Sequence, residues 1–166
     1  MDFRTFSSYQ VLDINDDLAI EKAYTICQSN PLYYDHCPPF VTKESLKETI
    51  TYCPPDSGLE NKHFFLLMEQ DSPLAIVDLI EAYPDPDTSW LGLFMVNASY
   101  QGQGLGSQLI EELCDFLKRS GFQRLRLGWV KGNPQAEAFW LKNAFQVIEE
   151  KESLEGHHIV VAQRIL

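Results

Sequence analysis

The chain has 166 residues and a mass of 19.0 kDa, enough to bury one substantial core without disulfide or metal staples and too little for two ordinary domains. Its content of 45% hydrophobic and 12% aromatic residues is globular, while a net charge of −11 argues against binding the phosphate backbone of nucleic acids, which takes clustered Lys and Arg. No run approaches the roughly 20 apolar residues of a membrane span, the amino terminus lacks the basic and apolar segments of a secretory signal, and Cys27, Cys37, Cys53 and Cys114 have neither disulfide-framework nor metal-site spacing. A metal-free protein of the cytoplasm, with no membrane partner, is expected.

A short strand is expected around Tyr9 to Leu12. Asp16 and Asp17 then offer caps to a helix with Ile20, Tyr24 and Cys27 on one face. Asn30 to Pro39 breaks the chain. A second helix starts near Thr42, with Leu46, Ile50 and Cys53 aligned, and Pro54-Pro55-Asp56-Ser57-Gly58 ends it. His63 to Glu69 and Leu74 to Ala82 read as an antiparallel hairpin. Beyond a Pro- and Asp-rich loop, Trp90 to Val96 is apolar at both parities, the pattern of a strand covered on both faces.

Gln101-Gly102-Gln103-Gly104-Leu105-Gly106-Ser107 follows and opens a helix with Leu109, Leu113, Phe116 and Leu117 on one stripe; Gly121 stops it. The chain re-enters the sheet as Arg124 to Trp129, completing a βαβ unit. Glycines let successive backbone N–H groups converge, and the following helix adds free donors and the positive end of its dipole, so a pyrophosphate fits here. Ser107-Gln108 after Gly106 excludes a P-loop, and Ser107 also stands where a dinucleotide fingerprint starting at Gly102 needs glycine. Phe145 to Glu149 and His158 to Arg164 finish the sheet as a hairpin around Glu155-Gly156. Its open edge could pair two copies into a homodimer.

Gln101-x-x-Gly104-x-Gly106 after a buried strand, followed by Asn133-Pro134-Gln135-Ala136-Glu137-Ala138-Phe139-Trp140-Leu141-Lys142-Asn143-Ala144-Phe145, resembles the GNAT acetyltransferase superfamily. The resemblance implies an α+β fold, a single domain over 1–166, with a mostly antiparallel sheet flanked by helices and coenzyme A between two splayed parallel strands. It further implies that the amides of Gln101, Gly102, Gln103, Gly104, Leu105, Gly106 and Ser107 bind the pyrophosphate of acetyl-CoA. Phe94, Met95 and Val96 would pair with its pantetheine arm, and Asn133, Ala136 and Trp140 would lie beside that arm. A fixed amide near Phe94 or Met95 would polarise the thioester carbonyl.

The implied reaction is direct transfer of acetyl to the primary amine of a small molecule or peptide in a ternary complex. Where many such enzymes carry a tyrosine that protonates the departing thiolate, this chain has Trp140, whose indole is no acid near neutral pH. That departure also suits an alternative, a non-catalytic acyl-CoA-binding sensor or regulatory module. A general base is needed for the amine. Asp78 and Glu81 are the candidates, and they stand at opposite parities, so at most one faces the cleft. His36, His157 and His158 are weaker ones. Tyr33, Tyr34 and His36 are expected to wall the acceptor side, with Tyr83 to Asp87 opposite.

Overall fold

In the computed structural model, which describes residues 1–166, seven strands form one sheet. They are β1 (Gln10–Asp13), β2 (Lys62–Glu69), β3 (Ser72–Ile80), β4 (Thr88–Val96), β5 (Arg124–Val130), β6 (Gln146–Glu152) and β7 (His158–Ile165). Their spatial order is β1-β2-β3-β4-β5-β7-β6, antiparallel throughout except where β4 meets β5. Five helices accompany them: α1 (Asp17–Gln28), α2 (Pro31–His36), α3 (Lys43–Thr51), α4 (Leu105–Arg119) and α5 (Pro134–Lys142). None is long and apolar enough to cross a membrane.

Strand alternation divides the core in two. Phe65, Leu67, Val77, Leu79, Leu125 and Leu127 pack with Leu109, Leu113, Phe116 and Leu117 of α4 and Trp140 of α5. Phe64, Leu66, Met68, Ile76 and Met95 point the other way, onto Ile20, Ile26 and Cys27 of α1 and Leu46 of α3. Each fully buried side chain of this size contributes about 1.5–3 kcal/mol relative to its exposed state. Both amphipathic stripes are therefore satisfied by the same sheet.

Local chemistry explains the boundaries. Asp16 caps α1 through the N–H of Ala19 at 2.8 Å, and Thr42 and Ser45 form a reciprocal capping box on α3. The expected break at Asn30 to Pro39 contains the six-residue α2, because Pro31 sits at a first-turn position, where its fixed φ and missing N–H cost nothing. Conversely, α3 stops at Thr51 and leaves Cys53 outside, since a residue before proline is driven out of the helical region. α4 ends with Gly121 at φ 99°, with Phe122 N–H donating to Leu117 O at 3.1 Å and Gly121 N–H to Lys118 O at 3.0 Å. α5 ends on the same paired bonds, Phe145 to Trp140 at 3.1 Å and Ala144 to Leu141 at 3.2 Å, but with Ala144 at φ 66° in the glycine position. β4 is less covered than its apolar run suggests. Gly92 is exposed and Leu93 and Phe94 are half-buried, because a cleft opens onto the middle of the strand.

Candidate active site

β4 and β5 stay paired for only four positions, from Thr88 opposite Arg124 to Leu91 opposite Leu127. At that point β4 carries a bulge against β3: Asp78 faces Leu93, Leu79 faces Leu91, and Gly92 is left over. The extra residue resets the alternation, so that Leu91, Phe94 and Val96 serve the α4 side while Leu93 and Met95 serve the α1 side. Past Leu127, β5 continues with β7 alone. A cavity of about 920 Å³ occupies the resulting opening, and residues from both faces of the sheet line it.

The α4 side of the cavity is built from backbone. Gly102 and Gly104 hold φ of 75° and 82°, and nothing lies within 4 Å of where a Cβ would stand on either. Gly104 caps α4 with no side chain, and the first bond to its carbonyl comes from Gln108 N–H at 3.0 Å. The amides of Leu105, Gly106 and Ser107 are thus left free by the helix geometry. Free donors at the positive end of a 15-residue helix, over open space, fit a diphosphate. The missing side chain of Gly106 also serves packing. A Cβ there would meet the Phe139 ring at 3.1 Å and Val96 Cγ2 at 3.5 Å, so its absence lets α4 lie close to α5 and β4.

Gln101 uses its side chain to fix this loop. Its Nε2 donates to Val96 O at 2.8 Å and to Asn30 Oδ1 at 2.7 Å, and Asn30 Nδ2 donates to the same Val96 O at 3.0 Å. Asn133 Oδ1 accepts from Ala136 N–H at 3.1 Å and caps α5. Trp140 is buried among Phe94, Phe139 and Phe145, with ring centroids 6.0, 4.8 and 5.2 Å away. Of the residues that the glycine-loop resemblance assigns to the cofactor, all but Gln103 line the cavity.

The α1 side is built from side chains. Asp78 lines the cavity from β3, nearly buried, with Lys62 Nζ 2.7 Å from Oδ1 and 2.9 Å from Oδ2; only the second contact has hydrogen-bond geometry. Burial pushes the Asp78 carboxyl above the ordinary carboxylate range, and the Lys62 ammonium pulls part of that shift back. Gly92 makes room for this carboxylate, since a Cβ on it would lie 3.1 Å from Asp78 Oδ2. Glu81 lies just past the end of β3 and outside the cavity. It accepts from the amino-terminal ammonium at 3.2 Å and pairs with His63 Nε2 at 2.6 Å, on the face that carries Phe3 and Phe65.

Tyr33 lines the cavity with Cys37, whereas Tyr34 turns away onto Phe40 at 4.5 Å, and His36 also lies off the cavity wall. Burial raises the phenol of Tyr33 well beyond its ordinary value, so it remains a neutral donor. Tyr83 is edge-on to Trp90 at 6.0 Å, and Lys151 stands 5.5 Å over the Trp90 ring. His157 and His158 lie off the wall as well, and His158 pairs with Glu150 at 2.9 Å.

Several residues escaped the sequence reading. Lys62 carried one usable signal, a charge two positions before Phe64 on the buried parity of its strand. A lone glycine in an apolar run marks a bulge, and Gly92 is such a residue. Tyr52 and Lys151 come from segments remote from the motifs and gave no signal, while Asn30 and Trp90 were read only as the start of a break and of a strand.

In fold, the chain is similar to a Salmonella typhimurium acetyltransferase described as modifying the N-terminal serine of ribosomal protein L7/L12. The TM-score is 0.72 at 15% identity, over 97% of each chain. It is also similar to the ribosomal-protein-S18-alanine N-acetyltransferase of Escherichia coli, with a TM-score of 0.67 at 20% identity over 94% of this chain and 92% of that one. An acetyltransferase of Thermus thermophilus gives 0.68 at 20% identity over 97% and 99%. No curated protein sequence matches the chain. The model of the Acetyltransferase (GNAT) family matches residues 29–145, well over half the chain and the span that holds the bulged strand, the glycine loop and α5, and the protein is therefore a member of the GNAT acetyltransferases.

Proposed function

We propose that the protein is a cytoplasmic N-acetyltransferase that moves the acetyl group of acetyl-CoA directly to a primary amine, with Asp78 as general base. The observation that carries this reading is a single cavity joining free helix-terminal amides on one face of the sheet to a nearly buried carboxylate on the other. The diphosphate of acetyl-CoA binds the free amides of Leu105, Gly106 and Ser107 over the turn at Gly102 and Gly104; the Gln101 N–H, bonded to Ala98 O at 3.2 Å, is not among its donors. Its arm runs along the β4 edge that β5 has left, at Phe94 to Val96, between that edge and Asn133, Ala136 and Trp140. The acceptor enters between Tyr33 and the Tyr83–Trp90 corner, beside Asp78.

The amine nitrogen attacks the thioester carbon, the N–C bond forms and the C–S bond breaks. The proton lost by nitrogen passes to the Asp78 carboxylate and from there to water. Coenzyme A leaves as a thiolate, because Trp140 offers no acid, and a thiol of pKa about 8.5 is a tolerable anionic leaving group. The acceptor is an amine on a small molecule or a peptide. The ribosomal-protein acetyltransferases of the same fold make peptide amino termini the first to try.

Calorimetric titration with acetyl-CoA, followed by thiol release against peptide amino termini, polyamines and amino acids, tests the reading. Binding with amine-dependent release is expected. Binding without release for any amine would favour an acyl-CoA sensor, and no binding would refute the cofactor site.

A further inference from the structure

Lys62 opens β2 on the same alternation as Phe64 and Leu66, facing the α1 side of the sheet. Its side chain is 3% exposed, it does not line the cavity, and its Nζ lies 5.8 Å from the Phe64 ring. An ammonium is costly to bury, and the Asp78 carboxylate is its one anionic partner. No other charged side chain pairs with Asp78; the remaining charges on the cavity wall are Lys142 and Lys151, the latter over the Trp90 ring. β4 presents Gly92 and Leu93, the α1 side presents Tyr33, Cys37 and Tyr52 across the cavity, and the Glu81–His63 pair belongs to the opposite face.

We propose that Lys62 is a positioning residue for acetyl transfer, its buried ammonium holding the Asp78 carboxylate ionised and fixed beside the path of the acceptor amine. The inference rests on the reading of Asp78 as the base. A carboxyl enclosed this far favours its protonated form, which cannot accept a proton from the amine. The adjacent cation opposes that preference without occupying the cavity, so the group that meets the acceptor is a carboxylate. Once it takes the proton, Lys62 faces a neutral acid, and the restored ion pair favours release of that proton to water. Lys62 thus promotes both the receptive state of the base and its regeneration, while touching neither substrate.

Protein labelled with carboxyl-¹³C aspartate allows the titration of Asp78 to be followed by NMR, the resonance being identified by its loss in Asp78→Asn. In Lys62→Met the midpoint should rise by more than about one pH unit, and Lys62→Arg should bring it back toward that of the native protein. Should Lys62→Met not fold, Lys62→Gln serves in the same comparison. An unchanged midpoint in the uncharged variant overturns the role of Lys62 alone. Undiminished amine-dependent thiol release by Asp78→Asn would instead overturn the base reading, whatever the NMR titration gives.

Discussion

The two faces of the sheet meet the same cavity with different materials. On the α4 side, recognition is offered by main-chain amides, shaped by Gly102 and Gly104 at positive φ and pinned through Gln101 to Val96 O. On the α1 side it is offered by side chains that arrive from separate segments: Asp78 from β3, Tyr33 from α2, Tyr83 from the loop after β3 and Trp90 from β4. A backbone site needs particular conformations at fixed spacing, and so writes a motif into the sequence. A side-chain site needs only convergence in space, and writes none.

If the division is real, changes on one side should leave the other intact. The largest effect is expected from Asp78→Asn, which should lower kcat by about 100-fold or more, the usual worth of a general base, with the calorimetric Kd of acetyl-CoA unchanged. In the native protein turnover should fall with decreasing pH as Asp78 is protonated. Because burial raises this carboxyl, activity should be lost above the ordinary carboxylate range, and the pH dependence of kcat checks the sign.

Gly104→Ala should do the reverse. An alanine held at φ 82° costs roughly 1–2 kcal/mol, so acetyl-CoA affinity should drop by about tenfold as the loop relaxes, while kcat at saturation changes little. Gly92→Ala tests the boundary between the faces: its methyl would crowd the Asp78 carboxylate, and a kcat loss of several-fold, smaller than that of Asp78→Asn, is expected with cofactor affinity retained.

The smallest effect belongs to a site that touches neither face of the cavity. α4 and α5 end on the same pair of bonds, but one uses Gly121 and the other Ala144. Ala144→Gly removes the left-handed strain and adds freedom to the unfolded chain, for a net gain of about 0.5 kcal/mol. Thermal unfolding should rise by about 1–2 °C with unchanged kinetics.

The same contrast governs what the sequence made legible. The β4–α4–β5 unit could be read because an apolar strand, a glycine loop, an amphipathic stripe and a capping Gly121 follow one another without interruption. The opposite parities of Asp78 and Glu81 were also readable, since strands alternate. What β2 contributes was not: Lys62 lies sixteen positions from Asp78, and only the antiparallel register of β2 and β3 brings the ammonium beneath the carboxylate. α2 was hidden because a proline reads as a break wherever it falls, although at a first turn it starts a helix. Tyr34 and His36 looked equivalent to Tyr33, but six residues of helix send neighbouring side chains in different directions, and only Tyr33 reaches the cavity.

Val96 O is shared by two amides, Gln101 from the glycine loop and Asn30 from the corner between α1 and α2. The glycine loop proposed to take the diphosphate and the corner that leads to the proposed acceptor wall therefore hang on a single carbonyl. Those bonds already fix the junction before any ligand binds, so the loop and the corner share one anchor and neither can shift without straining the other's bond.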